Sequence, residues 1–409
     1  MGRMKKDNRD NVIEVGGSEE LERANKQRKA RRRRSRIGLI IFIDVVLVIA
    51  AVSVFVYLKL RTFNGYKVIQ STETTFEANA QYADFGDNLL KYTPDGVSYI
   101  NNKGDVVWTS GLDLKVPIAE SNGDYAVVAD KGGNTVAVFN VEGQVSTLSM
   151  PYKICDIDIA KQGAFTVILE SNESNYINMY DKNGTIIYEM QTSIDKSGYP
   201  MDITISDDGQ KLFTSYFKLD GVNINNNLTA YNFGEVGQNE NADRMVGGYS
   251  FDEEMIPKVE FVTNDIVAAF SDSEILLYNM KEKPSERAKI EYGTEITSVF
   301  YSSEYIGYVE PNPDKSSSAD YVLKVFDLSG NDEFEYAFSM AYDKIYADDE
   351  EIIIIGGNQC LIIQKNGRTK FSYTFDGMIK SMIPSLGANE YIVTFEDRTE
   401  TIKLKTEDK

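Results

Sequence analysis

The residues best suited to chemistry in this chain are carboxylates. Asp156 and Asp158 are two residues apart in the alternating segment KICDIDI, so on a β-strand both side chains lie on one face. Such a pair can act as general acid and general base, although a solvated strand face is the interpretation we favour. The sequence contains no histidine, which excludes Ser-His-Asp and Cys-His catalytic sets and histidine-ligated zinc.

Two further acidic segments could offer oxygen ligands to a calcium ion. Residues 347–351 read ADDEE and residues 206–209 read SDDG. Neither follows the spacing of an EF-hand loop, and Asp-Asp-Gly is also a turn signal between strands. The sequence holds no glycine-rich phosphate loop. We therefore assign no catalytic, cofactor-binding or metal-binding residue, expect no cofactor, and predict that the protein is not an enzyme.

The two cysteines, Cys155 and Cys360, are far apart in the sequence, and each lies in an apolar stretch. A small exported domain held by disulfides would contain more cysteines. Buried thiols are the interpretation we favour, and one long-range disulfide stays open.

The elements that must position these residues are short strands. In residues 154–190, four apolar–polar alternating runs follow one another with tight turns between them, which predicts an antiparallel meander. The end of this unit recurs along the chain as an alternating strand, then Asn or Asp, two residues and a glycine. Glycine supplies the positive φ that a tight turn needs. The turn glycines are Gly104, Gly143, Gly184, Gly330 and Gly367.

A repeat of about 40 residues with four strands predicts an all-β fold, a β-propeller of four-stranded antiparallel blades. Stacked sandwiches would also alternate, but they do not repeat at fixed intervals. Counting the repeats favours eight blades, with seven as the alternative. We expect a strand within residues 66–75 or 79–85 to pair with the last blade and close the ring. Residues 234–248 and 310–320 are polar insertions that we interpret as mobile surface loops.

The N-terminal part of the chain has a different character. Residues 37–58 form an apolar run of 22 residues, long enough at ~1.5 Å per residue to cross a bilayer. Residues 1–36 carry a net charge of +7, the whole chain carries −20, and Asp44 carries one negative charge, so residues 59–409 carry −26. By the positive-inside rule, the arm is cytoplasmic and the acidic body is exported.

These features divide the chain into four parts. Residues 1–36 form a basic cytoplasmic arm, and residues 37–58 form a single-pass signal anchor in the cell membrane. Residues 59–75 form a juxtamembrane linker with a possible closing strand, and residues 76–409 form an extracytoplasmic propeller. Asp44 lies inside the span, where it is either tolerated near the cytoplasmic side or in contact with another transmembrane helix.

The turn motifs carry a resemblance to known repeats. NNKGDVVW at residues 101–108 and DKNGTIIY at residues 181–188 resemble the repeats of quinoprotein-like propellers, although only Trp108 keeps the tryptophan. The whole layout is similar to a family of uncharacterised, membrane-anchored β-propeller proteins from Gram-positive anaerobes. That resemblance implies one span and an external propeller, and it carries no assigned reaction.

Three functions are compatible with this layout. We favour a membrane-tethered scaffold that binds envelope proteins or cell-wall components, with the lipid bilayer bound through residues 37–58. The acidic body argues against nucleic acid as a partner. One alternative is an extracytoplasmic sensor of a small molecule or polysaccharide, with Asp44 as a relay. The other is a carboxylate-dependent polysaccharide hydrolase or lyase.

Overall fold

The computed structural model describes residues 22–23, 25–26, 28, 41–50, 52–53, 61–74, 77, 79–195, 197–221, 223–240 and 242–406. The chain divides into two compact units, Met1–Arg61 and Thr62–Lys409. In the first unit, residues 41–50 and 52–53 are helical, and the side chains of residues 41–50 are exposed. Within the described residues, no helix has both the length and the apolar character needed to cross a membrane. The remainder of the predicted span, and the arginines at 31–34, lie outside the described residues.

The second unit is built from eight four-stranded antiparallel sheets, the blades of a propeller. Eight blades were the favoured prediction, and this count is confirmed. Blade 1 contains β2 (Gln81–Phe85), β3 (Asn88–Thr93), β4 (Gly96–Ile100) and β5 (Val106–Gly111), and blade 2 contains β6 (Pro117–Asn122), β7 (Tyr125–Asp130), β8 (Thr135–Asn140) and β9 (Gly143–Ser149). Blade 3 contains β10 (Lys153–Ile159), β11 (Phe165–Glu170), β12 (Asn175–Tyr180) and β13 (Ile186–Thr192). Blade 4 contains β14 (Tyr199–Ile205), β15 (Lys211–Asp220), β16 (Asn223–Asn232) and β17 (Met245–Asp252).

The remaining blades follow the same order. Blade 5 contains β18 (Lys258–Thr263), β19 (Ile266–Phe270), β20 (Glu274–Asn279) and β21 (Ser285–Glu291), and blade 6 contains β22 (Ser298–Tyr301), β23 (Tyr305–Pro311), β24 (Tyr321–Asp327) and β25 (Asp332–Phe338). Blade 7 contains β26 (Lys344–Ala347), β27 (Glu351–Gly356), β28 (Gln359–Gln364) and β29 (Thr369–Thr374). Blade 8 contains β30 (Ile379–Pro384), β31 (Glu390–Phe395), β32 (Arg398–Lys405) and β1 (Gly65–Glu73). One short helix, α1 (Glu235–Glu240), joins β16 to β17.

Blade 8 closes the ring, because its outermost strand comes from the other end of the propeller sequence. β1 pairs antiparallel with β32, with Gly65 opposite Lys405 and Glu73 opposite Arg398. β1 falls largely within residues 66–75, the first of the two segments from which we expected closure. Because the first and last strands of the propeller pair in one sheet, blade 8 has all four of its strands and the ring is closed.

The core lies between blades rather than in one central mass. Val127 and Val128 on β7 show the reason, since successive side chains of a strand point to opposite faces. Val128 packs with Phe139 of its own blade and Leu90 of blade 1, whereas Val127 packs with Phe165 of blade 3. The second and third strands are therefore buried on both faces.

The predicted turn glycines join third and fourth strands, and four of the five, Gly143 excepted, also lie close against the preceding blade. Gly184 has φ of +88°, which a residue with a Cβ adopts only with strain. A Cβ at this position would lie 2.5 Å from Leu148 of blade 2. Likewise, a Cβ at Gly367 would lie 2.9 Å from the Phe334 ring of blade 6. The turn motif therefore specifies both the hairpin and the close approach of neighbouring blades.

The order of the strands defines two faces of the ring. The loop face carries the connections between second and third strands and those between successive blades. The terminal face carries the other turns, together with the points where the chain enters at Thr62 and leaves at Thr406. The Thr406 hydroxyl donates a hydrogen bond to the Thr62 carbonyl at 3.4 Å. The first and last residues of the propeller therefore lie side by side.

The two polar insertions are more ordered than we expected. Residues 234–248 include α1 and the first residues of β17, so interpreting the whole segment as a loop was wrong. In the second insertion, Glu310 and Pro311 belong to β23. The Glu310 side chain is 1% exposed and pairs with Lys324 at 3.0 Å, which explains how a charged residue lies inside a blade.

Candidate functional site

The first strands of the blades stand side by side around the central channel of the propeller, where the packing of β10 against β6 and β14 is typical. Carboxylates from several blades meet there. The charge of Glu120 on β6 acts on those of Asp84 on β2, Asp202 on β14 and Glu260 on β18. Side chains from four different blades come this close only at the centre of the ring. Asp156 and Asp158 on β10 belong to the same group.

Two of these carboxylates hold neighbouring blades together. The amide of Ile205 donates to Asp158 Oδ2 at 2.7 Å, and the amide of Val259 donates to Asp202 Oδ2 at 2.6 Å. Both bonds cross from one first strand to the next. The inner strands of blades 4 and 5 thus each have an edge amide satisfied by a side chain of the preceding blade, as buried backbone groups require.

A lysine balances part of the negative charge. Lys258 Nζ lies 3.1 Å from Glu260 Oε2, and the Tyr301 hydroxyl donates to the same oxygen at 2.8 Å. The ammonium also lies 5.6 Å from the centre of the Tyr301 ring. Glu260, Lys258 and Tyr301 therefore form a compact network that links blades 5 and 6.

The enclosed position of the carboxylates shifts their proton affinity. Solvent reaches Glu120 along the channel, but protein surrounds it, and desolvation with repulsion from Glu260 raises its pKa to about 7. Burial raises the pKa of Asp156, and its hydrogen bond with the neighbouring carboxyl group of Asp202 raises it further. Burial likewise raises the pKa of Asp158 well above its ordinary value.

The shared face of Asp156 and Asp158 is confirmed, but its surroundings differ from those expected. The face lines the channel and is not an open solvated surface. β10 contains a bulge between Ile154 and Asp156, and the regular pairing that follows it leaves Asp156 and Asp158 on the same face of the strand. The alternation in the sequence predicted the shared face, and the tertiary packing supplied the other carboxylates.

Sequence reasoning missed Glu120, Asp202 and Glu260. A signal was present, because Glu120, Asp156 and Asp202 are each the fourth residue of the first strand in their blades. Aligning first strands instead of third strands would have brought these carboxylates together. These carboxylates lie close together because the blades are arranged in a closed ring, and the local sequence pattern does not predict that arrangement.

The two acidic segments considered for calcium serve as turns and ion pairs. Asp208 accepts hydrogen bonds from the Ser206 hydroxyl and the Gln210 amide within its turn. Asp348 accepts from the amides of Glu350 and Glu351, while the Glu351 side chain is buried beside Lys370. In the part of the chain that the structure describes, no three His, Cys, Asp or Glu residues are arranged to hold a metal ion.

Both cysteines are free thiols. Cys360 is 1% exposed in the core of blade 7, and burial raises the pKa of its thiol to about 12. Cys155 is partly exposed on β10, where its thiol lies 3.8 Å from a Glu170 oxygen and 3.6 Å from the Tyr199 hydroxyl. The disulfide that the sequence left open is not formed.

The loop face of blade 4 carries an apolar surface. β15 and β16 pair as far as Asp220 opposite Asn223, whereas the pairing with their neighbours stops at Phe217 and Asn225. Residues 218–220 and 223–224 therefore project as a two-stranded ribbon. A cavity of about 540 Å³ lies at its base. Its apolar lining consists of the exposed Ile194 and Leu219 and the half-buried Tyr199 and Phe217. Together with Ile224, the exposed register partner of Leu219 on the ribbon, these side chains are here called the blade 4 patch.

Comparisons with known proteins place the chain by family and by fold. A model described as a family of unknown function (DUF5711) matches residues 59–404. No curated protein matches the chain. Sqt1 from Chaetomium thermophilum has 10% sequence identity over 83% of this chain and 100% of its own, with a TM-score of 0.54. BamB from Moraxella catarrhalis has 12% identity over 83% of this chain and 100% of its own, with a TM-score of 0.48.

A second Sqt1 structure from the same organism contains the bound N-terminus of the ribosomal protein L10. It has 10% sequence identity over 85% of this chain and 97% of its own, with a TM-score of 0.50. Identities this low show the shared propeller fold and leave the function open.

Proposed function

The chain belongs to a family of unknown function (DUF5711), and from its own structure we propose that it is a membrane-tethered, extracytoplasmic β-propeller that binds other proteins. The observation that carries the proposal is the blade 4 patch. Leu219 is 63% exposed and Ile194 is 55% exposed, although both are large apolar side chains on the same loop face. Single exposed apolar residues are common, but a group of them around a cavity is typical of a binding surface.

The geometry of the ribbon suits recognition. Leu219 on β15 is the register partner of Ile224 on β16, so their side chains lie on one face of the ribbon. Ten-residue strands anchored in a closed ring hold this pair in place before a partner arrives. A preformed surface loses little conformational entropy on binding.

Charge specifies the partner further. A second cavity of about 230 Å³ beside the ribbon is lined by Ile224 and Met255 together with Glu253, Glu254 and Asp272. Apolar side chains rimmed by carboxylates fit a protein segment that combines an apolar anchor with lysine or arginine. The overall charge of −26 on residues 59–409 favours the same class of partner.

The propeller of Sqt1 supports the proposal at the level of fold, since that protein has been captured with the N-terminus of another protein. The tether and the compartment rest on the sequence, namely the apolar run at residues 37–58 behind an arm of net charge +7. Membership in this family of unknown function does not bear on the membrane anchor, which stays our proposal.

We propose binding rather than catalysis because the contacts of the channel carboxylates are structural. Asp158 and Asp202 accept backbone amides of the next blade, and Glu260 is engaged by Lys258 and Tyr301. A hydrolase would need carboxylates directed at a substrate. Asp158 and Asp202 instead satisfy inner edges of neighbouring blades, and Glu260 is held in a side-chain network.

Photo-crosslinking in intact cells tests the proposal. A photoreactive amino acid in place of Leu219 should capture a reproducible protein, identified by mass spectrometry. The matched control is Leu386, which is 67% exposed in the loop between β30 and β31 on the terminal face. Capture from position 219 but not from position 386 is the expected result. Equal capture from both positions, or none from position 219, contradicts the proposal.

Two further arms sharpen the test. The substitution Leu219→Asn should lower recovery of the partner about 10-fold, equivalent to ~1.4 kcal/mol, whereas Leu386→Asn should leave it unchanged. A membrane-impermeant crosslinker added to intact cells should recover the same partner if the propeller is extracytoplasmic. Recovery only after permeabilisation would overturn the proposed compartment.

A further inference from the structure

A large open cavity lies on the loop face where blades 2 and 3 meet. Its volume is about 780 Å³, within the range of ~300–1,000 Å³ typical of small-molecule sites. One wall comes from the connection between β9 and β10, and the other comes from the turn between β11 and β12. This cavity is separate from the blade 4 patch, because the two share no lining residue.

Two tyrosines form the aromatic part of the cavity. The rings of Tyr152 and Tyr176 are stacked with centroids 4.8 Å apart and planes inclined by 9°. Tyr152 is 36% exposed, so part of its ring faces solvent. A stacked pair is rigid, and its outer surface offers a flat apolar platform with hydroxyl groups at the edge.

Hydrogen bonds fix both walls of the cavity. Asn134 Nδ2 donates to the carbonyls of Met150 and Tyr152, each at 2.8 Å, which holds the connection that carries Tyr152. Across the cavity, the Ser171 hydroxyl donates to the Ser174 carbonyl at 2.7 Å and closes the turn. The platform and the opposite rim are therefore preformed.

The rest of the lining is polar. Lys153, Glu170, Asn172, Glu173 and Gln191 are all exposed around the opening and offer both donors and acceptors. Their formal charges sum to −1, and the whole propeller is acidic. A polyanion would be repelled, and a purely apolar ligand would leave these polar groups without partners.

We propose that this cavity binds an uncharged oligosaccharide. A pyranose ring presents an apolar C–H face that can cover the Tyr152 ring, and its hydroxyl groups can exchange hydrogen bonds with the polar rim. The aromatic platform would supply affinity, and Asn172 and Gln191 would supply orientation. The inference does not depend on the proposed protein-binding function.

The test uses purified full-length protein in detergent and isothermal titration calorimetry. The probes are soluble neutral oligosaccharides, namely chitotetraose, cellotetraose and maltotetraose, with polygalacturonate as the anionic probe. We expect one neutral oligosaccharide to bind and polygalacturonate not to bind. Tyr152→Ala should weaken binding about 10-fold, whereas Tyr152→Phe, which keeps the platform, should change it by less than ~3-fold.

Two controls make the outcome decisive. Leu219→Asn, on the separate patch, should leave oligosaccharide binding unchanged even if it abolishes protein capture. The fluorescence of Trp108, the single tryptophan, should show that Tyr152→Ala remains folded, since Trp108 is stacked on Phe139 in the blade 2 interface. Binding of none of the three neutral probes, stronger binding of polygalacturonate, or equal binding by folded Tyr152→Ala would overturn the proposal.

Discussion

At the scale of single residues, the buried carboxylate of Glu351 is held by two partners, one from its own blade and one from the next blade. Glu351 is 5% exposed and accepts hydrogen bonds from Lys370 Nζ and the Tyr391 hydroxyl, both at 2.6 Å. Lys370 belongs to blade 7 and Tyr391 to blade 8, so the carboxylate joins the last two blades. The Lys370 ammonium also lies 5.3 Å from the centre of the Tyr391 ring. A buried charge of this kind is costly once one partner is removed.

The substitution Glu351→Gln should destabilise the fold by about 3 kcal/mol, because it leaves the Lys370 ammonium without its counter-charge. The matched control is Glu304→Gln, whose carboxylate pairs with Lys365 at 2.5 Å while both side chains stay about half exposed. We expect the control to cost less than ~1 kcal/mol. Denaturant unfolding of the full-length protein, followed by Trp108 fluorescence, measures both. Equal costs would show that burial of the pair has no energetic consequence.

At the scale of elements, the turn between the third and fourth strands both reverses the chain and joins the blades. Asp181 accepts hydrogen bonds from the amides of Asn183 and Thr185 at 2.9 and 2.7 Å, which closes the turn around Gly184. The Trp108 indole donates to the Val141 carbonyl in the corresponding turn of blade 2 at 3.1 Å. The repeated motif therefore orders the ring as well as each hairpin.

A pair of glycine substitutions separates these two roles. Gly184→Ala and Gly132→Ala place a Cβ at similar φ values, +88° and +80°, so each incurs a backbone penalty of ~1–2 kcal/mol. Around Gly132 the space is open, whereas at Gly184 the new Cβ meets Leu148 at 2.5 Å. We expect Gly184→Ala to cost ~1–3 kcal/mol more, measured by denaturant unfolding. Equal losses for the two variants would show that the turn does not position the blades.

At the scale of the whole molecule, ring closure creates the acidic channel. Asp84, Glu120, Asp202 and Glu260 come from blades 1, 2, 4 and 5, and they interact only because the ring is closed. The hydrogen bond from the Val259 amide offsets part of the repulsion at Asp202. The channel is thus a consequence of the fold that also makes stability depend on pH.

Raising the pH should destabilise the propeller. The folded pKa of Glu120 is about 7 and its ordinary value is 4.5, so the folded state binds this proton more tightly than the unfolded chain does. The stabilising effect of the proton is fully present below about pH 4.5 and is lost as the pH rises through about 7. Asp156 and Asp158 act in the same direction.

Thermal unfolding at pH 5, 7 and 9 (about two units apart) measures this dependence. The melting temperature should fall as pH rises, and Glu120→Gln should reduce the fall between pH 5 and pH 7. Glu304→Gln removes the same charge from an exposed site and should follow the parent protein. A melting temperature that rises with pH, or an identical slope in Glu120→Gln and Glu304→Gln, would contradict the role of the channel.

The sequence by itself determined the repeating strands and turn glycines and favoured eight blades over seven, because alternation and turn chemistry act within a few residues. The structure confirmed the count of eight. The sequence also placed Asp156 and Asp158 on one face. Only the tertiary structure decided that this face meets Glu120 and Asp202 in a channel, and that Glu351 is buried.

The same distinction applies to the surfaces. Ile194 and Leu219 border one cavity, and Tyr152 and Tyr176 form one stack, because separate loops converge on the loop face. These encounters depend on how blades pack and how the ring closes, and the local repeat pattern does not encode them. The sequence therefore specifies the repeating unit, and closure of the ring decides which side chains from different units can act together.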